Sequence, residues 1–459
     1  MPLKVGFASE DITPSLPVTT SGFISRCNKP VDATRDPLHL RCMVFEYNRQ
    51  KVILLVYDLL GLGNEIHSLI QDTLDETEDI DIPRTHRILG CTHTHSAPST
   101  VELLGCGIPD KSYWQQLCNI TRDTCLKAMK NTKSVTISRC EVPMDGLAYD
   151  RTYSQSRTIA TLGEMPRNAS SSVPDKMYLI KFDDKENNPL AGIIHWAAHP
   201  VLSGGDRISA DYPGELCKKL GEKFNMPFLF LQGAAGNLNP PLVPGSDDSI
   251  TNYDTEILNR AESSFWTEPE ECKSFGFAES MVPLDYMELF SQGDLRQLSR
   301  DYQKAASNKS PDSQIQQEIS KVLNTETDDE TQQTIIAHTC EALSNWAANW
   351  AVKPQAIFYE PCEVNVKALN LGGMIWYFIA AEPYFEIQEK LQKSFPGNKV
   401  HVIGFSSPLK GYIPVFDEDR TDGYEIEYAF RFYNHPAPFA ENSNEKMLKS
   451  LINLTSQIT

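Results

Sequence analysis

One short stretch, residues 88–98, constrains the chain more than any other. It reads as an apolar β-strand that runs into two histidines, His93 and His95, before small residues and Pro98 end it. Because alternate side chains of a strand share a face, the two imidazoles should point the same way from Cα atoms roughly 6.6 Å apart. This spacing is typical of half a metal site, although two satisfied polar residues at a strand end fit it equally well.

Two further apolar strands end in residues that could bind a metal. The strand that begins at Ile193 runs on to His199 and Pro200, so three of the 10 histidines follow just two strands. Glu382 comes directly after a buried-strand pattern that ends in two alanines. A carboxylate beside a core costs several kcal/mol unless it is paired or metal-bound, so a functional use of Glu382 is favoured.

Charge and composition exclude several classes of partner. The formal net charge of -19 repels phosphate backbones and anionic membrane surfaces, so nucleic acid is excluded as a partner. No apolar run reaches the ~18 residues that span a bilayer, and the N-terminus lacks a secretory signal, so a cytoplasmic protein is expected. Eleven cysteines without a CxxC pair argue against a disulfide framework or a zinc knuckle.

The order of strand and helix patterns predicts a mixed α/β fold. Strands are expected at residues 4–8, 38–47 and 51–58, and a helix at 110–131. Asp58, at the end of the third strand, would either face a site or cap a helix that begins near Asn64, and the cap is the favoured interpretation. A polar, Gln- and Glu-rich stretch at about 285–352 indicates a helical insertion.

Two irregular segments lie between these elements. Residues 144–174 carry Arg151, Arg157 and Arg167, and the segment is too long for a simple connection. It is either a loop or mobile lid near the site or a surface excursion. The small residues at 233–240 would let the backbone approach a ligand closely, as at an oxyanion site, or simply form a tight turn.

Taken in order, these motifs resemble the neutral/alkaline non-lysosomal ceramidase family. The resemblance runs from Val5 to about Phe432 and is weakest between Ile250 and Val352. The motifs that carry it are Gly90-x-Thr92-His93-Thr94-His95-Ser96-x-Pro98, His199-Pro200, the turn ending in Asn239-Pro240, Glu382, and Gly411-Tyr412-Ile413-Pro414.

The resemblance implies a fold and a site. The fold would consist of layered mixed β-sheets flanked by helices. Matched by motif, a catalytic zinc would be held by His93, His199, Glu382 and Tyr412, while His95 would contact the substrate or reaction intermediate. Such a site leaves room for a water whose pKa zinc lowers to about 7, and that water would attack an amide or ester carbonyl. Tyr412 could equally donate a hydrogen bond to the oxyanion.

The chain departs from the family pattern at one catalytic position. The family carries a serine in a Gly-Asp-x-Ser-Pro-Asn turn, and Asn239 stands in its place here. An amide cannot act as a nucleophile, but it can orient a carbonyl or an oxyanion, so Asn239 is predicted to be catalytic without an acyl-enzyme. Gly236 and Asn237 of the same turn are predicted to bind substrate.

These observations predict a zinc-dependent hydrolase of a small-molecule or lipid-like N-acyl substrate. Residues 1–459 are expected to form one catalytic domain without the family's C-terminal immunoglobulin-like domain. The oligomeric state stays open. Alternatives are a non-catalytic metal-containing binding protein and an esterase or deacetylase of a small polar substrate. A metallo-β-lactamase-like site would need His-x-His-x-Asp-His, and a barrel amidohydrolase would place its His-x-His after its first strand.

Overall fold

The computed structural model describes residues 2–152, 173–242, 247–307, 330–397, 399–416 and 423–459, with isolated positions between 308 and 329. The strands are β1 (Lys4–Asp11), β2 (Val18–Thr19), β3 (Pro30–Val31), β4 (His39–Tyr47), β5 (Gln50–Tyr57), β6 (Arg87–Cys91), β7 (Lys133–Pro143), β8 (Tyr149–Asp150), β9 (Lys176–Asp184), β10 (Pro189–Trp196), β11 (Phe228–Gln232), β12 (Leu238–Asn239), β13 (Phe275–Leu284), β14 (Cys362–Leu371), β15 (Met374–Ile379), β16 (Glu382–Pro383), β17 (Lys399–Ile403) and β18 (Tyr412–Ile413).

The α-helices are α1 (Asn64–Asp75), α2 (Lys111–Lys130), α3 (Asp211–Phe224), α4 (Asp247–Glu262), α5 (Gln292–Ser307), α6 (Glu330–Ala351), α7 (Phe385–Ser394), α8 (Tyr424–Glu427), α9 (Ala429–Phe432) and α10 (Ser443–Ile458). Short 3₁₀ turns occupy Ile24–Arg26, Arg84–His86 and Gln355–Tyr359. Among the described residues, none of the helices combines the length and apolarity needed to cross a bilayer.

Two mixed β-sheets form the centre of the molecule. The larger has eight strands in the order β11-β10-β9-β7-β1-β4-β5-β6, with parallel pairs at both edges. The smaller has four strands in the order β13-β14-β15-β17, of which β15 and β17 run parallel. Parallel strands are normally covered on both faces, which explains their nearly continuous apolar sequences.

The sheets and helices stack in four layers. One face of the larger sheet packs on the smaller sheet, through Phe45 and Phe182 on one side and Trp376 and Phe378 on the other. Helices α1 to α4 cover the opposite face of the larger sheet, and α7 and α10 cover the outer face of the smaller one. The layered, helix-flanked α/β fold predicted from the sequence is therefore confirmed.

The segment after β17 lies between the two edges of the larger sheet. Ile403 bridges to Gly233 after β11, and Ser406 bridges to Gly90 in β6. The backbone N–H of Cys91 also donates to the carbonyl of Phe405 at 3.1 Å. These contacts bring the ends of β6, β10, β11 and β15 to one place in the fold.

One local interpretation is wrong. Asp58 does not cap α1, whose N-cap is Gly63 without a side-chain hydrogen bond. The Asp58 side chain is fully buried and accepts from Arg41 Nη1 at 2.8 Å and from the His39 backbone N–H at 2.9 Å. Arg41 comes from the neighbouring strand β4, and a buried guanidinium needs a counter-charge, so the carboxylate pairs there.

Two predicted segments meet the structure only in part. Helices α5 and α6 lie within the predicted insertion at about 285–352. In the predicted site loop, Arg151 belongs to the described residues, whereas Arg157, Arg167 and the remainder of 153–172 lie outside them. The lid interpretation and the single-domain interpretation both stay predictions.

Candidate metal centre

Three strand ends deliver His93, His199 and Glu382 to one buried point. His93 follows β6, His199 follows β10, and Glu382 begins β16 just after β15. Their exposed fractions are 1%, 0% and 1%. Three metal-competent side chains are thus buried at the same place, although more than a hundred residues separate each from the next along the sequence.

The facing atoms of this group have the spacing of metal ligands. Glu382 Oε2 lies 3.4 Å from His93 Nε2 and 3.4 Å from His199 Nε2. His95 Nε2 lies 3.3 Å from His93 Nε2. Tetrahedral zinc with bonds of roughly 2.0–2.1 Å separates neighbouring ligand atoms by about 3.4 Å. The two separations to Glu382 Oε2 therefore match edges of a tetrahedral site, and the separation between His93 and His95 has the same length.

Hydrogen bonds to the backbone fix both imidazoles with Nε2 facing inward. His93 Nδ1 donates to the carbonyl of Leu60 at 2.7 Å, and His199 Nδ1 donates to that of Ala235 at 2.6 Å. Each Nε2 then carries a lone pair, which is the form that binds metals. His199 Nε2 and Glu382 Oε2 are buried without a hydrogen-bond partner, so these orphaned atoms fit a bound metal ion.

The short contacts to Glu382 are not explained by charged histidines. Burial is the main cause that lowers the pKa of His93 and of His199 well below 6.5, so both rings are neutral at pH 7. Glu382 raises the pKa of His93, but this effect is smaller than the loss of hydration. A pair of neutral imidazoles beside one carboxylate is a donor set typical of zinc.

His95 gives a second way to complete the group. His93, His95 and His199 bring one ligand atom each within 4.8 Å of one another. The ring of His95 also packs on Phe23, with centroids 4.8 Å apart, and its Nδ1 is buried without a partner. Either Glu382 or His95 could be the third ligand beside His93 and His199. The role of His95 as a substrate contact stays a prediction.

The two histidines of the first motif converge for a different reason from the one expected. Strand β6 ends at Cys91, and His93 adopts a left-handed backbone with φ of +70°. Strand alternation therefore does not apply beyond Cys91. A positive φ is rare for a residue with a side chain and is a feature often held at functional sites. The turn, rather than the strand period, brings the two rings together.

Tyr412 and Glu382 are neighbours through backbone pairing. They are directly opposite in the parallel pair of β16 and β18. The Tyr412 ring stacks on His199 with centroids 6.5 Å apart, and its hydroxyl accepts from Arg151 Nη2 at 3.1 Å. Burial raises the pKa of Tyr412 well above 10, while Arg151 opposes this rise. The structure places Tyr412 beside the centre, and its role as fourth ligand stays a prediction.

Arg151 connects the site in a way that no sequence motif indicated. Its guanidinium donates to Glu425 Oε1 at 2.8 Å, to Asn239 Oδ1 at 3.2 Å and to the Gly236 carbonyl at 3.0 Å. Together with the bond to Tyr412, these contacts use the rigid geometry of the guanidinium to fix several site residues at once. The sequence showed Arg151 only as one of three arginines in an irregular segment.

The turn at 233–240 contributes residues with different surroundings. Asn237 is fully buried, and its amide contacts Asp150, Glu386 and the backbone N–H of Phe385. A Cβ atom at Gly236 would lie 2.6 Å from the carbonyl oxygen of Glu382, so only glycine allows this close packing. The described contacts of both residues are with the protein, and substrate binding by either stays a prediction.

A small cavity opens beside the metal centre. Its volume is about 120 Å³, and His93, His95, Glu382 and Arg151 lie in its wall with an aromatic group formed by Tyr412, Tyr424, Phe432 and Tyr433. Tyr433 donates its hydroxyl hydrogen to Glu382 Oε1, which leaves Oε2 facing the histidines. Tyr424 begins the short helix α8 and Tyr433 directly follows the short helix α9, so neither has a strand-end signal and sequence analysis missed both.

Comparison with known proteins identifies the fold class as ceramidase-like. Neutral ceramidase from Pseudomonas aeruginosa superposes with a TM-score of 0.69 at 15% identity, over 99% of this chain and 74% of that one. A ceramidase complexed with C2 gives a TM-score of 0.67 at 14% identity, over 99% of this chain and 75% of that one. Neither a protein-family model nor a curated protein matches the sequence. At such identities the likeness establishes the shared fold.

Proposed function

We propose that the protein is a zinc-dependent hydrolase that cleaves an amide (N-acyl) or ester bond. The observation that carries the proposal is the pair of orphaned atoms, His199 Nε2 and Glu382 Oε2, buried 3.4 Å apart beside His93. In the proposed ligand set, His93, His199 and Glu382 hold zinc and Tyr412 is the fourth ligand. A metal bound there supplies a Lewis acid that polarises a carbonyl and lowers the pKa of water.

His95 is proposed to act on the substrate rather than as a ligand. It lies in the wall of the 120 Å³ cavity with its Nε2 toward the centre. Burial lowers its pKa well below 6.5, so the ring is neutral at pH 7. A neutral imidazole in this position can accept a proton from the attacking water and pass it to the departing amine or alcohol.

Asn239 is proposed to stabilise the oxyanion. Its Oδ1 accepts from Arg151, and this bond assigns the amide so that Nδ2 remains as a donor. A positioned side-chain donor of this kind contributes a large share of the stabilisation in acyl transfer. An amide cannot form an acyl-enzyme, so the proposal has the substrate attacked directly by water.

The fold likeness to two ceramidases supports an N-acyl compound as the substrate class. A screen of the zinc-loaded protein against N-acyl lipids, N-acyl amino acids, acetylated sugars and simple esters tests the proposal. Turnover of at least one class, without a burst and without a covalent acyl-protein adduct, is expected. A trapped adduct would refute direct attack by water. Bound zinc with no turnover of any compound would favour the non-catalytic binding protein.

A further inference from the structure

A larger groove adjoins the cavity at the metal centre. The cavity has a volume of about 120 Å³ and the groove one of about 750 Å³, and the two share Leu103 and Tyr433 in their walls. A single water takes about 30 Å³ in the liquid, so the cavity holds little more than the group to be cleaved. Ligand pockets usually measure roughly 300–1,000 Å³, which the groove matches. The rest of a substrate therefore has room in the groove.

Lys410 places a positive charge in the groove wall. Its Nζ donates to Asn64 Oδ1 at 2.7 Å, and this partner is neutral. Across the described part of the chain, no carboxylate forms an ion pair with Lys410. Its backbone is held by a bond from its N–H to the Ala380 carbonyl at 3.1 Å and by a bond from His435 Nε2 at 2.8 Å. A half-buried cation on a fixed backbone, two residues before Tyr412, is thus available to a ligand.

None of the other ionisable side chains described in the groove wall pairs with the positive charge of Lys410. Lys111 is paired with Glu65 at 2.6 Å and lies over the ring of Trp114. His435 uses both ring nitrogens, on Tyr286 and on the Lys410 carbonyl. Glu102 lines the groove with an exposed side chain and is not bonded to Lys410. In a protein with a net charge of -19, such a local cation selects for an anionic group.

We propose that the groove binds the leaving-group side of the substrate and that Lys410 recognises a carboxylate on it. The substrate class is then an N-acyl amino acid, and this inference rests on the proposed function. In the reaction, water adds its oxygen to the acyl carbon and the carbon–nitrogen bond breaks. The nitrogen takes up a proton, so the products are a carboxylic acid and an amino acid. A leaving group made only of hydroxyls and an alkyl chain would leave Lys410 unmatched.

A pair of matched substrates tests this inference. The zinc-loaded protein is assayed with N-acetylphenylalanine and with N-acetylphenethylamine, which differ only in the carboxylate. Lys410→Ala should raise KM for the first compound roughly 10-fold or more, the range expected for losing a charged hydrogen bond, with kcat nearly unchanged. Kinetics with the second compound should stay as in the wild type. Lys410→Arg should keep KM for the first compound close to the wild-type value.

A control variant and a binding measurement keep the outcomes separate. Lys446→Ala removes an equal charge from a surface ion pair with Asp285, and it should leave KM and kcat for both substrates unchanged. Two results would overturn the inference: an equal effect of Lys410→Ala on both compounds, or a wild type that does not bind N-acetylphenylalanine in calorimetry. In either case, turnover of any amide would still support the proposed function. If the protein binds N-acetylphenylalanine through Lys410 but hydrolyses no amide or ester, the groove is supported as a carboxylate-binding site and the proposed function is overturned.

Discussion

Tyr433 provides the sharpest test of how the centre is held. Its hydroxyl donates to Glu382 Oε1, so that Oε2 stays directed at His93 and His199. Tyr433→Phe removes this one donor and keeps the ring in place. A hydrogen bond to a charged group contributes about 1.5–3 kcal/mol, which converts to a roughly 10- to 150-fold loss of affinity. This range agrees with the effect of losing an outer partner of a metal ligand.

The assay is a competition between the protein and a chelator for zinc. Tyr433→Phe should bind zinc about 10- to 150-fold more weakly than the wild type, because Glu382 Oε2 is then no longer held toward the two histidines. The matched control is Tyr286→Phe, whose hydroxyl contacts His435 at 2.9 Å and not Glu382, and it should keep the wild-type affinity. Zinc affinity of Tyr433→Phe within threefold of the wild type would show that Glu382 needs no such partner or is not a ligand.

Three further perturbations test the proposed roles and the buried histidines. His95→Ala should keep its zinc and lose about 10²-fold in turnover, and loss of zinc would instead make His95 a ligand. Asn239→Ala should lower kcat about 10²-fold at unchanged zinc content, and wild-type turnover would exclude it as the oxyanion donor. Burial lowers the pKa of His195 to about 3 and that of His435 to about 4, so the unfolded chain binds protons first below about 6.5. The free energy of unfolding of the metal-free protein should therefore fall between pH 6.5 and pH 4, and it should fall less steeply in His195→Gln. Denaturant titrations that give the wild type and His195→Gln the same dependence on pH would contradict this.

Much of the fold could be predicted because its central strands are buried on both faces. Such strands are apolar throughout, so a polar residue at a strand end stands out, as His199 and Glu382 do. The order of these ends along the chain also indicated the layered fold. The stacking of the two sheets depends on which faces pack, and that follows from pairings distant in sequence.

Other features left no local pattern to find. The approach of His93 to His95 depends on the left-handed backbone of His93, and the alternation of residues in a strand does not predict such a turn. Arg151 and Tyr433 come from segments without regular spacing, and their contacts with Tyr412 and Glu382 span 261 and 51 residues. Asp58 looked like a helix cap because the sequence does not show that a buried arginine needs its charge.

The central claim is that His93, His199 and Glu382 form one zinc site. The most direct measurement is the zinc content of purified, metal-loaded protein, compared with that of His199→Ala and of a control, His86→Ala, which changes a histidine outside the centre. The wild type and the control should hold one zinc per chain, and His199→Ala should hold none. Stoichiometric zinc in His199→Ala, or none in the wild type, would contradict the account.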